Sequence, residues 1–357
     1  MFDHIIQQSI RGLQAYHVPN AKGMIKLDAM ENPYRLPDAL QKQLADALAM
    51  AEINRYPDPS SRELVGVLKS AMQVPDAVEV LLGNGSDEII QIIAMAVAGS
   101  DRVIMAPEPS FSMYRMIALC LGMRYEAVPL RDDFALNLPL MLQAIEKYKP
   151  AVLFLAYPNN PTGNLFSRDD IKAMIELSPG LLVVDEAYHA FADDSFMSEL
   201  VNYPNLLVLR TVSKMGMAGL RLGLLAAHPE LIETFNKVRL PYNINVLTQI
   251  SAKFAFDHKS VFDLQTEQIK KDRATLFDAL SVFSSLRVFP SKANFILFKT
   301  AAGKSEVIFD ALSVDGILIK TLNKQAGLLT DCLRVTVGAP AENKRFLESL
   351  AKILKKL

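Results

Sequence analysis

The stretch Leu206-Leu207-Val208-Leu209-Arg210-Thr211-Val212-Ser213-Lys214-Met215-Gly216-Met217-Ala218-Gly219-Leu220-Arg221-Leu222-Gly223 decides how this chain reads. Its first four residues are an apolar run of the kind that forms a strand buried on both faces. Past that strand comes Lys214 beside Ser213, then glycines and small residues leading to Arg221. A lysine amine in such a turn can form an imine with a bound aldehyde, and Ser213 and Arg221 can hold a phosphate on the same ligand. A lysine is usually a solvated surface charge. Its place between a buried strand and a small-residue turn argues against that here.

Working outward, the same unit recurs. Runs at 78–82, 102–106, 151–156, 181–184 and 222–227 read as strands, with helices expected from Ile89 through Val97, over 113–121 and over 167–177. Short apolar strands alternating with helices imply a mostly parallel α/β sheet. Ligands of such sheets bind beyond the carboxyl ends of the strands. Gly85, Phe111, Asn160, Asp185 and Lys214 all lie there.

The flanks differ. Residues 1–35 read as an arm broken by Pro19, Asn20, Gly23, Asn32 and Pro33, followed by a helix over 37–53. Ser60, with Glu63 three residues on, is positioned to cap the next helix. From 248 a long helical segment runs to about 283, then strands at 295–298, 317–319 and 333–337, then a last helix over 340–357. The expected division is an arm (1–35) packing with the small domain, a large domain (36–247) and a smaller α/β domain (248–357).

Composition narrows the function classes. Half of the 357 residues are hydrophobic, and 38 basic against 39 acidic residues leave a net charge of −1. That balance gives no reason to expect nucleic acid or an anionic membrane as partner. Two cysteines far apart read as free thiols in a reducing compartment, and the five histidines show no metal-ligand spacing, so no metal is expected. No leader pattern opens the chain, and no apolar stretch reaches the ~18 residues of a membrane span. A cytoplasmic protein is the expectation.

The marked positions carry compatible chemistry. Gly85-Ser86-Asp87, between strand and helix, can offer N–H groups and a helix dipole to phosphate, although such a turn is commonly plain capping. Asn160, in the turn Tyr157-Pro158-Asn159-Asn160-Pro161-Thr162-Gly163, can donate to a phenolate oxygen, or be structural only. Asp185, at the end of a buried strand, is costly unless paired, and a protonated pyridine nitrogen would pair it; helix capping is the alternative. Tyr188 can bond the same phenolate. Arg334, within Leu333-Arg334-Val335-Thr336-Val337, needs an anion if it faces inward, and is otherwise a snorkelling edge arginine. One cofactor uses all these groups: pyridoxal 5'-phosphate (PLP), on Lys214.

With these residues in this order, the chain resembles the fold-type I PLP-dependent enzymes, specifically class II aminotransferases, and among them those acting on histidinol phosphate. The resemblance rests on Lys26-Leu27-Asp28-Ala29-Met30-Glu31-Asn32-Pro33, Asn54-Arg55-Tyr56-Pro57-Asp58-Pro59, Gly83-Asn84-Gly85-Ser86-Asp87-Glu88, Asn159-Asn160-Pro161-Thr162-Gly163, Asp185-Glu186-Ala187-Tyr188, Ser213-Lys214 with Arg221, and Leu333 to Gly338. It implies Lys214 as the imine lysine and proton shuttle, Asp185 on the ring nitrogen, and Asn160 and Tyr188 on the ring oxygen. It implies Gly85, Ser86, Asp87, Ser213 and Arg221 at the phosphate and Phe111 stacked on the ring. Tyr56 would reach the cofactor of a partner subunit, so a homodimer with shared active sites is implied. Arg334, Lys320 and Asn32 would meet the substrate. Met30 stands where asparagine is common, and Lys320 near a position where relatives often carry arginine. The implied reaction passes an amino group from histidinol phosphate to 2-oxoglutarate. Aromatic amino acids as substrates, or decarboxylation of threonine phosphate, are the alternatives. A PLP-binding transcriptional regulator is disfavoured, because the motifs begin by about residue 26.

Overall fold

Apolar runs bounded by turn residues become strands where both faces can be covered. The computed structural model of this protein describes residues 4–13, 15, 19–99, 101–323 and 327–357. After a two-residue strand in the arm, β1 (Ile25–Lys26), come β2 (Glu79–Gly83), β3 (Val103–Glu108), β4 (Arg124–Pro129), β5 (Val152–Ala156), β6 (Leu181–Asp185), β7 (Leu206–Thr211) and β8 (Gly223–Ala227). The last seven form one sheet in the order β2-β8-β7-β6-β5-β3-β4. All its pairings are parallel except those of β8, which runs antiparallel to both β2 and β7. The chain from Thr211 to Gly223 holds only short 3₁₀ turns, too little for the crossover that a parallel neighbour requires.

Strands β5, β7 and β8 are buried at every position. Alternate side chains enter different cores: Leu153, Leu155, Leu182 and Val184 on one face, Phe154, Val183, Leu207 and Leu209 on the other. Each such side chain contributes about 1.5–3 kcal/mol of burial. The register sets Asp185 beside Ala156 and Leu209, so the ends of β5, β6 and β7 lie level.

The C-terminal part builds a second sheet from β9 (Arg287–Val288), β10 (Phe295–Lys299), β12 (Lys320–Thr321) and β13 (Cys332–Thr336), in the order β12-β13-β10-β9 and antiparallel throughout. Between them, β11 (Ile317–Leu318) pairs in parallel with β1, which fastens the arm to this part. A third core joins Leu27 of the arm to Phe295, Phe298, Val335 and Phe346, and includes Tyr188 from the large sheet's loops.

Two local expectations need correction. The single long helix from 248 is two, Val246–Asp257 and Lys259–Ser281, broken at His258. The first packs against the helices Asp38–Ala49 and Arg62–Ala71. Ser60 is not the cap of the helix Arg62–Ala71: the Asp58 carboxylate accepts from the Ser60 and Arg62 amides at 3.0 and 2.9 Å. Those bonds hold its pKa below the usual range, that of Arg62 first.

Candidate active site

Lys214 lies in the 3₁₀ turn Ser213–Met215, just beyond β7. Gly216 follows at φ +114°, where a Cβ would come within 2.9 Å of the Asn32 amide nitrogen. The Lys214 Nζ donates to the Ala29 carbonyl at 3.3 Å. Burial, and then the Arg334 charge, pulls the amine's pKa down to about 8. A lysine so placed is neutral, and therefore nucleophilic, far more often than one in water.

Asp185 ends β6 almost wholly buried, 4% exposed. Tyr114 Oη donates to its Oδ2 at 2.7 Å and the Ala187 amide to its Oδ1 at 3.1 Å. Both donors are neutral, and burial raises the carboxyl pKa to about 6 despite them. Tyr114 is the contact of Asp185 that sequence reasoning missed. It lies in the helix Met113–Cys120, stacked on Phe154 at 4.7 Å with Phe111 edge-on at 5.5 Å. The available signal was a tyrosine in the first turn after Pro107-Glu108-Pro109-Ser110-Phe111. Behind Asp185, the buried Glu186 accepts from Arg210 Nε at 2.9 Å and from the Phe196 amide at 2.6 Å, a brace that fixes the strand end.

At the far side of Lys214 the helix Ser86–Ala96 begins after Gly85, at φ +88°. Its N-terminus and the Arg221 guanidinium form a cationic corner, with Asp87 3.6 Å from Arg221. Arg221 itself takes φ +48°. Ser213 and Thr211 share a hydroxyl bond of 2.8 Å at the same end. Gly223 permits the close approach: a Cβ there would stand 2.8 Å from Gly85 C and Ser86 N.

Asn160 donates to Tyr188 Oη at 3.2 Å and accepts from the Arg334 guanidinium. The second arm of that guanidinium donates to the Asp28 carbonyl at 3.0 Å, and its carbon lies 5.1 Å from the Phe295 ring centroid. Lys320 is the cross-strand partner of Arg334. Two cavities meet here. One of ≈ 370 Å³ is lined by Ser86, Phe111, Asn160, Asp185, Tyr188, Ser213, Lys214 and Arg221. The other, of ≈ 670 Å³, shares Lys214, Asn160 and Phe111 with it and reaches Lys320 and Arg334.

Two positions fall elsewhere. The Asn32 amide donates to Met215 O at 3.2 Å and Gln265 Oε1 at 3.0 Å, and its Oδ1 accepts from the Tyr34 amide. It ties the arm to the lysine turn and lines neither cavity. Tyr56 is 81% exposed, stacked on Tyr242 at 4.5 Å, and also lines neither. Among the described residues no cluster of His, Cys, Asp and Glu could hold a metal ion, and no helix is long and apolar enough to cross a membrane.

The smaller cavity fits PLP. A low-pKa lysine is there for the aldehyde, a buried carboxylate with only neutral donors for the ring nitrogen, and a helix N-terminus with Arg221 for the phosphate. Fold and site together define a PLP-dependent aminotransferase. The family model "Aminotransferase class I and II" matches residues 22–350, and the chain belongs to that family. Within it, the chain is 53% identical over 345 residues to histidinol-phosphate aminotransferase 2 of Nitrosococcus oceani, covering 97% of this chain and 96% of that one. It is 48% identical to the histidinol-phosphate aminotransferase of Chromobacterium violaceum, covering 98% and 97%. The crystal structure of histidinol-phosphate aminotransferase from Sinorhizobium meliloti, solved in complex with PLP, shares the fold with a TM-score of 0.88 at 23% identity, over 98% of each chain.

Proposed function

We propose that this enzyme transfers the amino group of histidinol phosphate to 2-oxoglutarate, giving imidazole acetol phosphate and glutamate, a step of histidine biosynthesis in the cytoplasm. The observation that carries the reading is the cross-strand pair Lys320 and Arg334, which puts two cations in the cavity that opens from Lys214. Such a pair suits a phosphate on one substrate and a carboxylate on the other. The names of the relatives point the same way.

The residues divide the work. When bound, PLP supplies an electron sink for the charge left as the donor's Cα proton departs. Asp185, only 4% exposed, would pair with the ring nitrogen and favour its protonated form. Asn160 and Tyr188 would hold the ring oxygen, and Phe111 would cover the ring. The Gly85-Ser86-Asp87 turn, Ser213 and Arg221 would anchor the phosphate. Lys214 Nζ would take up and return the proton at the substrate's Cα, within the reach of one side chain. Arg334, preset by Asn160 and the Asp28 carbonyl, receives the anionic end of each substrate in turn.

We further read the protein as a homodimer in which Tyr56 reaches the partner's cofactor phosphate; an exposed tyrosine stacked on Tyr242 supports this. The division into arm, large and small parts belongs to the same proposal. The test is glutamate formation by the purified enzyme with histidinol phosphate and 2-oxoglutarate, compared with phenylalanine and with threonine phosphate. Release of CO2 without consumption of the 2-oxo acid refutes transamination. A clear preference for phenylalanine refutes the substrate.

A further inference from the structure

We propose that Glu31 selects the ring of the amino donor, its carboxylate accepting a hydrogen bond from the imidazole N–H. The inference rests on histidinol phosphate as substrate. That molecule brings three groups to the site: an amine, a phosphate and an imidazole. The amine goes to the cofactor and the phosphate to Arg334 and Lys320, which leaves the imidazole without a partner.

Glu31 is suited to it by placement. It lines both the cofactor cavity and the larger cavity beside it. The other carboxylates there are committed: Asp185 to the ring nitrogen, Asp87 toward Arg221, and Asp28, whose own side chain is only 10% exposed, to Lys26 at 3.5 Å. The Glu31 side chain is 50% exposed, and its partner is Lys26 Nζ at 2.6 Å, itself 33% exposed. An ion pair that open contributes little, so exchanging it for a substrate N–H costs little. The backbone on either side is fixed. The Met30 amide donates to Thr336 Oγ1 at 3.0 Å, Asn294 Nδ2 donates to the Met30 carbonyl at 2.9 Å, and Asn32 is tied to Met215. A carboxylate on a pinned backbone, with an accessible end, discriminates an imidazole from a phenyl ring because only the former has an N–H to give. The carboxylate is also close enough to Lys214 to raise that amine's pKa, against the larger lowering by burial.

The test compares kcat/KM for histidinol phosphate and for glutamate in the wild type, Glu31→Gln and Lys26→Met holoenzymes. Glu31→Gln should lower the ratio of the two about tenfold or more, chiefly through KM for histidinol phosphate, since a bond to a charged acceptor is lost. Below pH ~6.5, where the substrate's imidazole becomes cationic, the wild type should gain affinity and Glu31→Gln should not. Lys26→Met should keep the ratio within about threefold of wild type, because it removes a cation shared by Glu31 and Asp28 and leaves the Glu31 carboxylate in place. An unchanged ratio in Glu31→Gln, or the same loss in Lys26→Met, overturns the proposal and leaves Glu31 as a clamp of the arm. Failure of the wild type to use histidinol phosphate overturns the substrate reading itself, a separate and visible outcome.

Discussion

Replacing Asp185 by asparagine should stabilise the apoenzyme at neutral pH while removing its transamination. The carboxyl ionises at 3.8 when unfolded and at about 6 in the fold, where burial opposes its charge. A group whose folded pKa is raised contributes stability that is fully present below its unfolded pKa and is lost as pH rises through the folded one. For Asp185 the window is therefore about pH 4 to 6, and the loss is about 3 kcal/mol for a shift of some two units. Asparagine mimics the protonated acid in shape and carries no charge at any pH. Asp185→Asn should thus exceed wild type by about 3 kcal/mol at pH 7.5 and match it near pH 4. At roughly 2.1 cal/mol/K per residue over this chain, that is a Tm gain of about 4 °C. Thermal melts of both apoproteins at pH 4.5, 6 and 7.5 measure it, and the difference cancels every other titrating group. Adding PLP should reverse the order, because only the carboxylate gains from the ring nitrogen's charge. A mutant no more stable than wild type at pH 7.5, or one with the same advantage at every pH, refutes the argument that burial of an uncompensated charge dominates at this site.

Other perturbations test the remaining parts. Gly223→Ala puts a methyl 2.8 Å from the backbone of Gly85 and Ser86, and should weaken PLP binding by about 1–3 kcal/mol, read by cofactor titration. Arg334→Gln removes a cation that lowers the Lys214 pKa; the apoenzyme's rate of PLP capture, which follows the neutral amine, should move its acid limb above pH 8, whereas Arg334→Lys should leave it in place. Mixing Lys214→Ala with Tyr56→Ala subunits should restore activity that neither variant has alone, since a heterodimer rebuilds one complete site; an inactive mixture would show that Tyr56 serves no partner.

The central sheet was legible because β5, β6 and β7 are continuous apolar runs, and because each ends at a residue whose chemistry is hard to explain otherwise. Lys214, Asp185 and Asn160 stood out by contrast with the strands before them. The edge strand β4, Arg124–Pro129, was not, since most of its residues are exposed or half-buried and it carries no apolar run. The direction of β8 was not assigned either, because Gly223–Ala227 is buried on both faces and reads the same both ways. Tyr114 escaped for a related reason: a tyrosine among Met113, Met116 and Ile117 looks like core, and only the fold shows its hydroxyl meeting Asp185. The break at His258 had no glycine or proline to announce it. There the His258 Nδ1 donates to the Phe254 carbonyl at 2.9 Å, so a side chain ends the helix.

The arm meets the catalytic groups through its main chain. The carbonyls of Asp28 and Ala29 receive Arg334 and Lys214, and the amide and carbonyl of Met30 are held by Thr336 and Asn294. None of these bonds depends on which side chains the arm carries. Side chains on residues 28–31 can therefore be changed to re-tune which substrate is accepted without loosening these bonds, provided position 30 tolerates φ +54°. Asparagine and glycine enter that conformation readily, and methionine does so at some cost. A scaffold that grips by backbone and presents by side chain can change what it accepts without rebuilding how it reacts.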